Sequence, residues 1–251
     1  MEEPEPRSGM RLFRKIRQSL LAENKLKRYL LYAIGEIFLV VIGILIAVQI
    51  NNWNEVRKKG VQREIYEASL INELENDIQS LNRLDSLAAI KRGLIRSYLD
   101  YYNSDRPNLD TLHYKRNSII STKIAFYSSA YTIDDLLTTG NISLFSKEKK
   151  ASIIELKNIL DRYAFYETST IQDVALYEQE IKKNFDLVNY TGLSDKEHPN
   201  TANWKLDLTS DQFRILNNTL VESLKLFEFQ SEMYESILEA TEELLFLLRT
   251  E

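Results

Sequence analysis

Residues Tyr29–Ile50 read YLLYAIGEIFLVVIGILIAVQI, an apolar run of 22 residues with one charged side chain, Glu36, inside it. At about 1.5 Å of rise per residue, such a helix covers about 33 Å, enough for a hydrocarbon core of about 30 Å. The flanks fit a membrane span better than a buried soluble helix. Tyr29 and Tyr32 stand at one end and Trp53 at the other, where interfacial aromatic residues collect. Arg7, Arg11, Arg14, Lys15, Arg17, Lys25, Lys27 and Arg28 precede the span, and between residues 7 and 28 only Glu23 opposes them. The weaker cluster Arg57, Lys58 and Lys59 follows it. This asymmetry predicts a cytoplasmic N-terminus and an extracytoplasmic C-terminal part. A cleaved signal peptide has a shorter apolar core and small residues before its cut site, so the run reads as an uncleaved anchor.

Residues 1–28 are expected to form a cytoplasmic tail. Within it, Leu12, Phe13, Ile16, Leu20 and Leu21 alternate with basic residues at helical spacing from Met10 to Leu21. That pattern suits a short helix lying on an anionic leaflet. No other segment is apolar enough to span, so a single-pass protein is expected, with residues 29–50 as the span and 51–251 as the folded domain.

Residues 51–251 keep 24 of the 32 basic and 32 of the 37 acidic side chains, a net charge of −8. A domain of that sign is a poor partner for nucleic acid. The chain has no cysteine, which excludes disulfides, thiol catalysis and cysteine-ligated metal. Only 7 glycines and 4 prolines interrupt it, favouring long helices.

From Asn51 to Asn103 the residues Ile71, Leu74, Ile78, Leu81, Leu84, Ala88, Ile95, Leu99 and Tyr102 keep a three-or-four spacing. The span is therefore expected to run on as one helix, weakest at Gly60 and Gly93 and ended by Asp105-Arg106-Pro107. Residues 107–146 read as irregular. Ser118–Tyr127 has no clear type, and Thr132–Thr139 forms a short helix stopped by Gly140. Ser146 caps a helix expected to reach Val188. A polar loop covers Asn189–Asn203. Thr209 with Gln212 forms a capping-box pattern opening a last helix to Leu248. These elements predict an all-α fold: a single transmembrane helix continuing into an antiparallel helical-bundle extracytoplasmic domain.

Glu36 is the first candidate for function. A charged carboxylate at a bilayer centre costs about 2.5–3.5 kcal/mol, so an intramembrane carboxylate is by default functional. Glu36, Val40, Gly43, Ala47 and Ile50 share one helix face, and Gly43 with Ala47 forms a small-xxx-small pair that lets another helix approach. The expectation is a helix–helix contact through Glu36, Val40, Gly43 and Ala47. The bland alternative has Glu36 reaching for headgroups. Gln49, Asn51, Asn52, Trp53 and Asn54 form a polar cap at the outer interface, able to hydrogen-bond to headgroups or to another helix.

Elsewhere the chemistry is thin. His113 and His198 lack a second histidine at ligand spacing and read as packing or surface residues. Asp134-Asp135 marks a helix start, and Glu242-Glu243 a solvated face. No hydrolase, zinc-protease, Walker or dinucleotide pattern occurs, so no enzyme and no cofactor are expected. Tyr98, Tyr101, Tyr102, Phe126, Tyr127, Tyr131, Tyr163, Phe165 and Tyr166 could line a small-molecule pocket but more often pack a core. The last helix is strongly acidic, which suits either solvent or a basic partner.

Two stretches carry a resemblance. FRKIRQSLLAENKLKRYLLYAIGEIFLVVIGILIAVQINNWNEVRK, Phe13–Lys58, and more loosely SAYTIDDLLTTGNISLF, Ser129–Phe145, resemble a family of Bacteroidota single-pass membrane proteins, domain of unknown function family 6090. Gly35, Glu36, Gly43, Gln49, Asn51, Asn52, Trp53, Asn54 and Glu55 are the matching positions. The resemblance implies an inner-membrane protein with a helical periplasmic domain, and no activity. The function expected is a membrane-anchored, non-enzymatic scaffold, partnered by the lipid bilayer and either a second copy or another membrane protein. A small-molecule accessory ectodomain and an ion-coupled subunit using Glu36 are the alternatives.

Overall fold

The computed structural model describes residues 26–119, 124–190 and 203–250, and every regular element among them is helical. The expected cytoplasmic helix Met10–Leu21 and His198 lie outside the described residues. The chain divides into two compact units, Met1–Gln62 and Arg63–Glu251.

Helix α1 spans Leu26–Tyr102, 77 residues, and contributes to both units. Neither Gly60 nor Gly93 breaks it. A glycine inside a helix costs about 1 kcal/mol relative to alanine. Around Gly93 the side chains of Ala88, Lys91, Ile95 and Tyr98 are all buried, and their packing holds the helix through the weak point. In the first unit, residues 30–50 are exposed apart from the half-buried Ala33. Among the described residues this is the one helix long and apolar enough to cross a membrane.

The second unit is a bundle of α1 with α4 (Lys147–Asn184) and α6 (Asp211–Arg249). On α1 the buried positions are Leu70, Leu74, Asp77, Leu81, Leu84, Ala88, Lys91, Ile95 and Tyr98, a strict four-three alternation. On α6 the buried residues Phe213, Leu216 and Leu220, and then Phe227, Gln230, Tyr234, Ile237, Thr241, Leu244 and Leu248, keep three-or-four steps, and Ile215, Thr219, Leu226 and Leu245 widen the buried stripe. Helix α6 runs antiparallel to both neighbours. Against α4 it sets Gln230 on Glu167 and Tyr234 on Tyr163. Against α1 it sets Asn217 on Tyr98, Ser231 on Asp85 and Arg249 on Glu75.

After α1 the chain turns at Pro107, and Asn108 Oδ1 accepts from the Thr111 amide at 3.1 Å to start α2, Leu109–Ser118. This helix corrects the irregular reading of residues 107–118. It buries a single apolar side chain, Leu112, so it carries almost no periodic signal. Residues 124–130 have no regular structure and bury Ile124, Phe126 and Ala130. Helix α3, Tyr131–Thr139, follows and ends at Gly140, whose φ of 75° is the left-handed stop expected of it. A 3-10 turn, Asn141–Leu144, leads to Ser146, whose hydroxyl caps α4 at the Lys149 amide.

Two helix ends differ from expectation. Helix α4 stops at Asn184, not Val188, because Phe185 turns to extended backbone and packs edge-on against Trp204 at 5.1 Å between ring centroids. Asp186 then accepts from the Val188 amide at 3.1 Å, opening the four-residue α5, Leu187–Tyr190. Helix α6 is capped by Ser210, not Thr209, since the Thr209 hydroxyl and amide both bond to Asp207. The 3-10 turn Asn203–Leu206 places Trp204 against Phe213 and His113.

Candidate functional site

The four expected contact residues, Glu36, Val40, Gly43 and Ala47, lie on α1 in the first unit, and all are exposed. Spacings of four, three and four put them on one face. A Cβ added at Gly43 meets nothing within 4 Å. That face has no packing partner from the chain's own described residues. Of the polar cap, Gln49, Asn51, Asn52 and Trp53 are exposed and Asn54 is half-buried. Asn51 Nδ2 donates to Glu55 at 3.2 Å, and Asn54 Oδ1 accepts from Arg57 at 3.3 Å. These amides therefore bond along the helix, one turn apart, while Trp53 is 68 % exposed.

A second arrangement, which the sequence reading missed, holds the stretch Ser129–Phe145. Asp77, buried at a core position of α1, accepts from the Ser129 amide and hydroxyl, both at 2.7 Å, and from the Ser128 hydroxyl at 2.5 Å. One turn earlier, Glu73 accepts from the Thr132 amide at 3.0 Å and the Thr132 hydroxyl at 2.8 Å. The residue preceding α3, Ala130, has no side chain able to cap it, so the cap comes from another helix. Farther toward the start of α1, the Tyr66 hydroxyl donates to Asp135 at 2.8 Å and accepts from Asn141 at 2.9 Å, and Glu67 pairs with Lys149 at 2.8 Å. The segment 124–145 is thus a strap laid across α1 and α4. The signal was present: Asp77 occupies the position between Leu74 and Leu81 that the four-three alternation reserves for an apolar side chain.

The third arrangement is a polar group of four between α4 and α6. Glu167 accepts from the Tyr163 hydroxyl and from Gln230 Nε2 at 2.8 Å, and Gln230 Nε2 also reaches the Ile124 carbonyl at 2.8 Å. The Tyr163 and Tyr234 hydroxyls are 3.4 Å apart. All four residues are buried. Burial pushes the Glu167 carboxyl above its ordinary value against the opposing pull of its hydrogen bonds, and raises Tyr163 likewise. Tyr234 is pushed up to about 12 by burial. Gln230 Oε1 is buried with no hydrogen-bond partner among the described residues.

The nine aromatic residues do not line one pocket. Tyr98 and Tyr102 stack toward Phe213 at one level, while Phe126, Tyr163 and Tyr234 meet at another. Tyr127, Tyr131 and Phe165 are exposed. His113 packs between Trp204 and Phe213, with its Nε2 3.1 Å from the Lys205 carbonyl, a packing histidine. Asp134 pairs with Lys157 at 3.2 Å, and Glu242 and Glu243 are exposed.

These features define an all-α protein with one apolar helix long enough to cross a membrane and a strapped three-helix bundle. The chain belongs to the Family of unknown function (DUF6090), whose model matches residues 36–184. That range takes in Glu36, the strap and its two carboxylate anchors, and all of α4. No curated protein and no solved structure matches the chain.

Proposed function

We propose that this protein is a membrane-anchored, non-enzymatic interaction protein of the bacterial envelope. Residues 29–50 span the inner membrane with the N-terminus in the cytoplasm, and residues 51–251 form a periplasmic domain. The Glu36–Val40–Gly43–Ala47 face makes the contact, with a second copy or with another membrane protein. The observation that carries this reading is the exposure of residues 30–50 in the chain's own fold, Ala33 apart. Their burial has to come from outside: lipid covers the apolar side chains, and a neighbouring helix covers the carboxylate more cheaply than lipid does. The absence of cysteine allows a direct test, since Gly43→Cys introduces the sole thiol. The full chain is extracted into nanodiscs, its native mass is measured and co-purifying chains are identified. A defined assembly that cross-links through position 43 is the expected result. A monodisperse monomer with no companion and no cross-link overturns the proposal.

A further inference from the structure

We propose that the groove between α4 and α6 docks one helix of a partner protein, apolar on its buried face and lysine- or arginine-bearing along its edges; this rests on the interaction role proposed above. Three grooves run along a three-helix bundle, and here they differ. The groove between α1 and α4 is closed by the strap, where Phe126 meets Tyr163 and Asp134 meets Lys157. The groove between α1 and α6 is polar, lined by Asp85, Arg92, Glu232, Glu235 and Glu242 with Leu238. The groove between α4 and α6 has an apolar floor of Ile159, Tyr166, Phe229, Met233 and Ala240 and an open volume of about 570 Å³. Among the described residues nothing covers it: Tyr166 is half exposed and the neighbouring Phe165 is 70 % exposed.

Charge complementarity selects the occupant. The rim carries Glu155, Glu239 and Glu243 against Arg162 alone. Along α6, the exposed Glu232, Glu235, Glu239, Glu242 and Glu243 take part in no ion pair among the described residues, while Glu228 and Arg249 are engaged with Arg96 and Glu75. Of these, Glu239 and Glu243 stand with Glu155 at the apolar floor, where they outnumber Arg162 and favour a cationic amphipathic ligand. Two antiparallel helices present ridges that a third helix can enter, and no strand edge exists among the described residues. Glu155–Tyr166 sets the length, about 17 Å, or roughly three turns.

The test uses the full chain in phosphatidylcholine nanodiscs with Ala240→Cys carrying an environment-sensitive dye; Ser86→Cys, exposed on α1, is the control position. The probe is a synthetic eighteen-residue leucine–lysine helix, compared with a leucine–glutamate helix of the same pattern. The expected result is a saturable change in the dye at position 240 and none at position 86. Binding should weaken at least tenfold for the glutamate peptide, and at least tenfold for the lysine peptide when Glu239→Lys and Glu243→Lys are combined. Both substitutions sit on exposed positions, and helical circular dichroism checks that the bundle stays folded. An equal response at both dye positions, equal binding of the two peptides, or no saturable response overturns the proposal. So does a concentration-dependent dye change without peptide, which assigns the groove to a second copy. The assay involves neither Glu36 nor Gly43, so failure here and failure of cross-linking at position 43 are separate results.

Discussion

Glu73 on α1 serves as the N-cap of a helix it does not belong to: its two carboxylate oxygens take the amide and the hydroxyl of Thr132, at 3.0 and 2.8 Å. With Asp77 one turn on, it ties the strap to the first helix of the bundle. A local cap stabilises one helix; a cap supplied from another element also fixes where that helix lies. The consequence is that the strap's position depends on two side chains far from it in sequence.

Removing either anchor therefore leaves backbone donors unpaired. Asp77→Ala takes the acceptor from the half-buried Ser129 amide and Ser128 hydroxyl, while the Ser129 hydroxyl keeps the Glu73 carbonyl at 3.0 Å, and should cost about 1–3 kcal/mol. Glu73→Ala, at a half-buried site, should cost about 0.5–2 kcal/mol, the range of a lost helix cap. Denaturant unfolding of the full chain, followed by circular dichroism, reads both. Equal stability of Asp77→Ala and wild type would contradict the assignment.

Glu167 gives a pH dependence of definite sign. Its folded carboxyl is held above the ordinary value of 4.5, chiefly by burial. The folded protein binds that proton more tightly than the unfolded chain, so the stabilisation it gives is complete below about pH 4.5 and is lost as pH rises through the folded value. Glu167→Gln removes this dependence and offers a donor to the unpartnered Gln230 Oε1. Its unfolding midpoint should exceed that of wild type at pH 8, with the gap closing toward pH 4.5. A gap that widens on acidification would refute the sign.

Trp204 ties three elements together, packing on Phe185, Phe213 and His113. Trp204→Ala should destabilise the bundle by about 2–4 kcal/mol. In a Trp53→Phe background, Trp204 is the sole indole, and its emission should shift to the red in the same transition that circular dichroism records. Emission changing well before the helices melt would show that this end opens separately.

Gly43→Leu should weaken assembly at least tenfold in nanodiscs while leaving the unfolding of the bundle unchanged, because a Cβ at residue 43 meets nothing within 4 Å among the described residues. Glu36→Gln keeps the side chain's size and hydrogen bonding, so assembly should survive it better than Glu36→Leu. Should Glu36→Gln and Glu36→Leu abolish assembly alike, the carboxyl group itself, which an amide does not replace, is required.

Much of the architecture was legible because burial in long helices writes a period into the chain. The apolar run at Tyr29–Ile50, the stripes through Leu74, Leu81, Leu84 and Ala88, and the left-handed stop at Gly140 all follow from spacing or from backbone freedom. Helix α2 left no such trace, since Leu112 is its one buried side chain. The end of α4 is hidden in the sequence because Phe185 and Val188 continue the periodic pattern, while the Trp204 ring, distant in sequence, packs against Phe185 where the helix stops. Thr209 and Ser210 are both good caps in sequence, and the choice falls to Asp207, which occupies Thr209 and leaves Ser210 to cap the helix. The polar core was half legible. Asp77, Glu167 and Gln230 stand at apolar positions of their stripes, which marks them as unusual, but spacing does not say what they bind.

Helix α6 ends beside Glu75, near where α1 enters the bundle. A tether on the first residues of the bundle and a load on its last residues would therefore pull at the same end. Tension applied that way peels α6 from its neighbours one contact layer after another, rather than shearing the whole interface at once. The molecule should open at low force, with a pause at the one polar level where Gln230 meets Glu167 and Ser231 meets Asp85, and close again when the load is released.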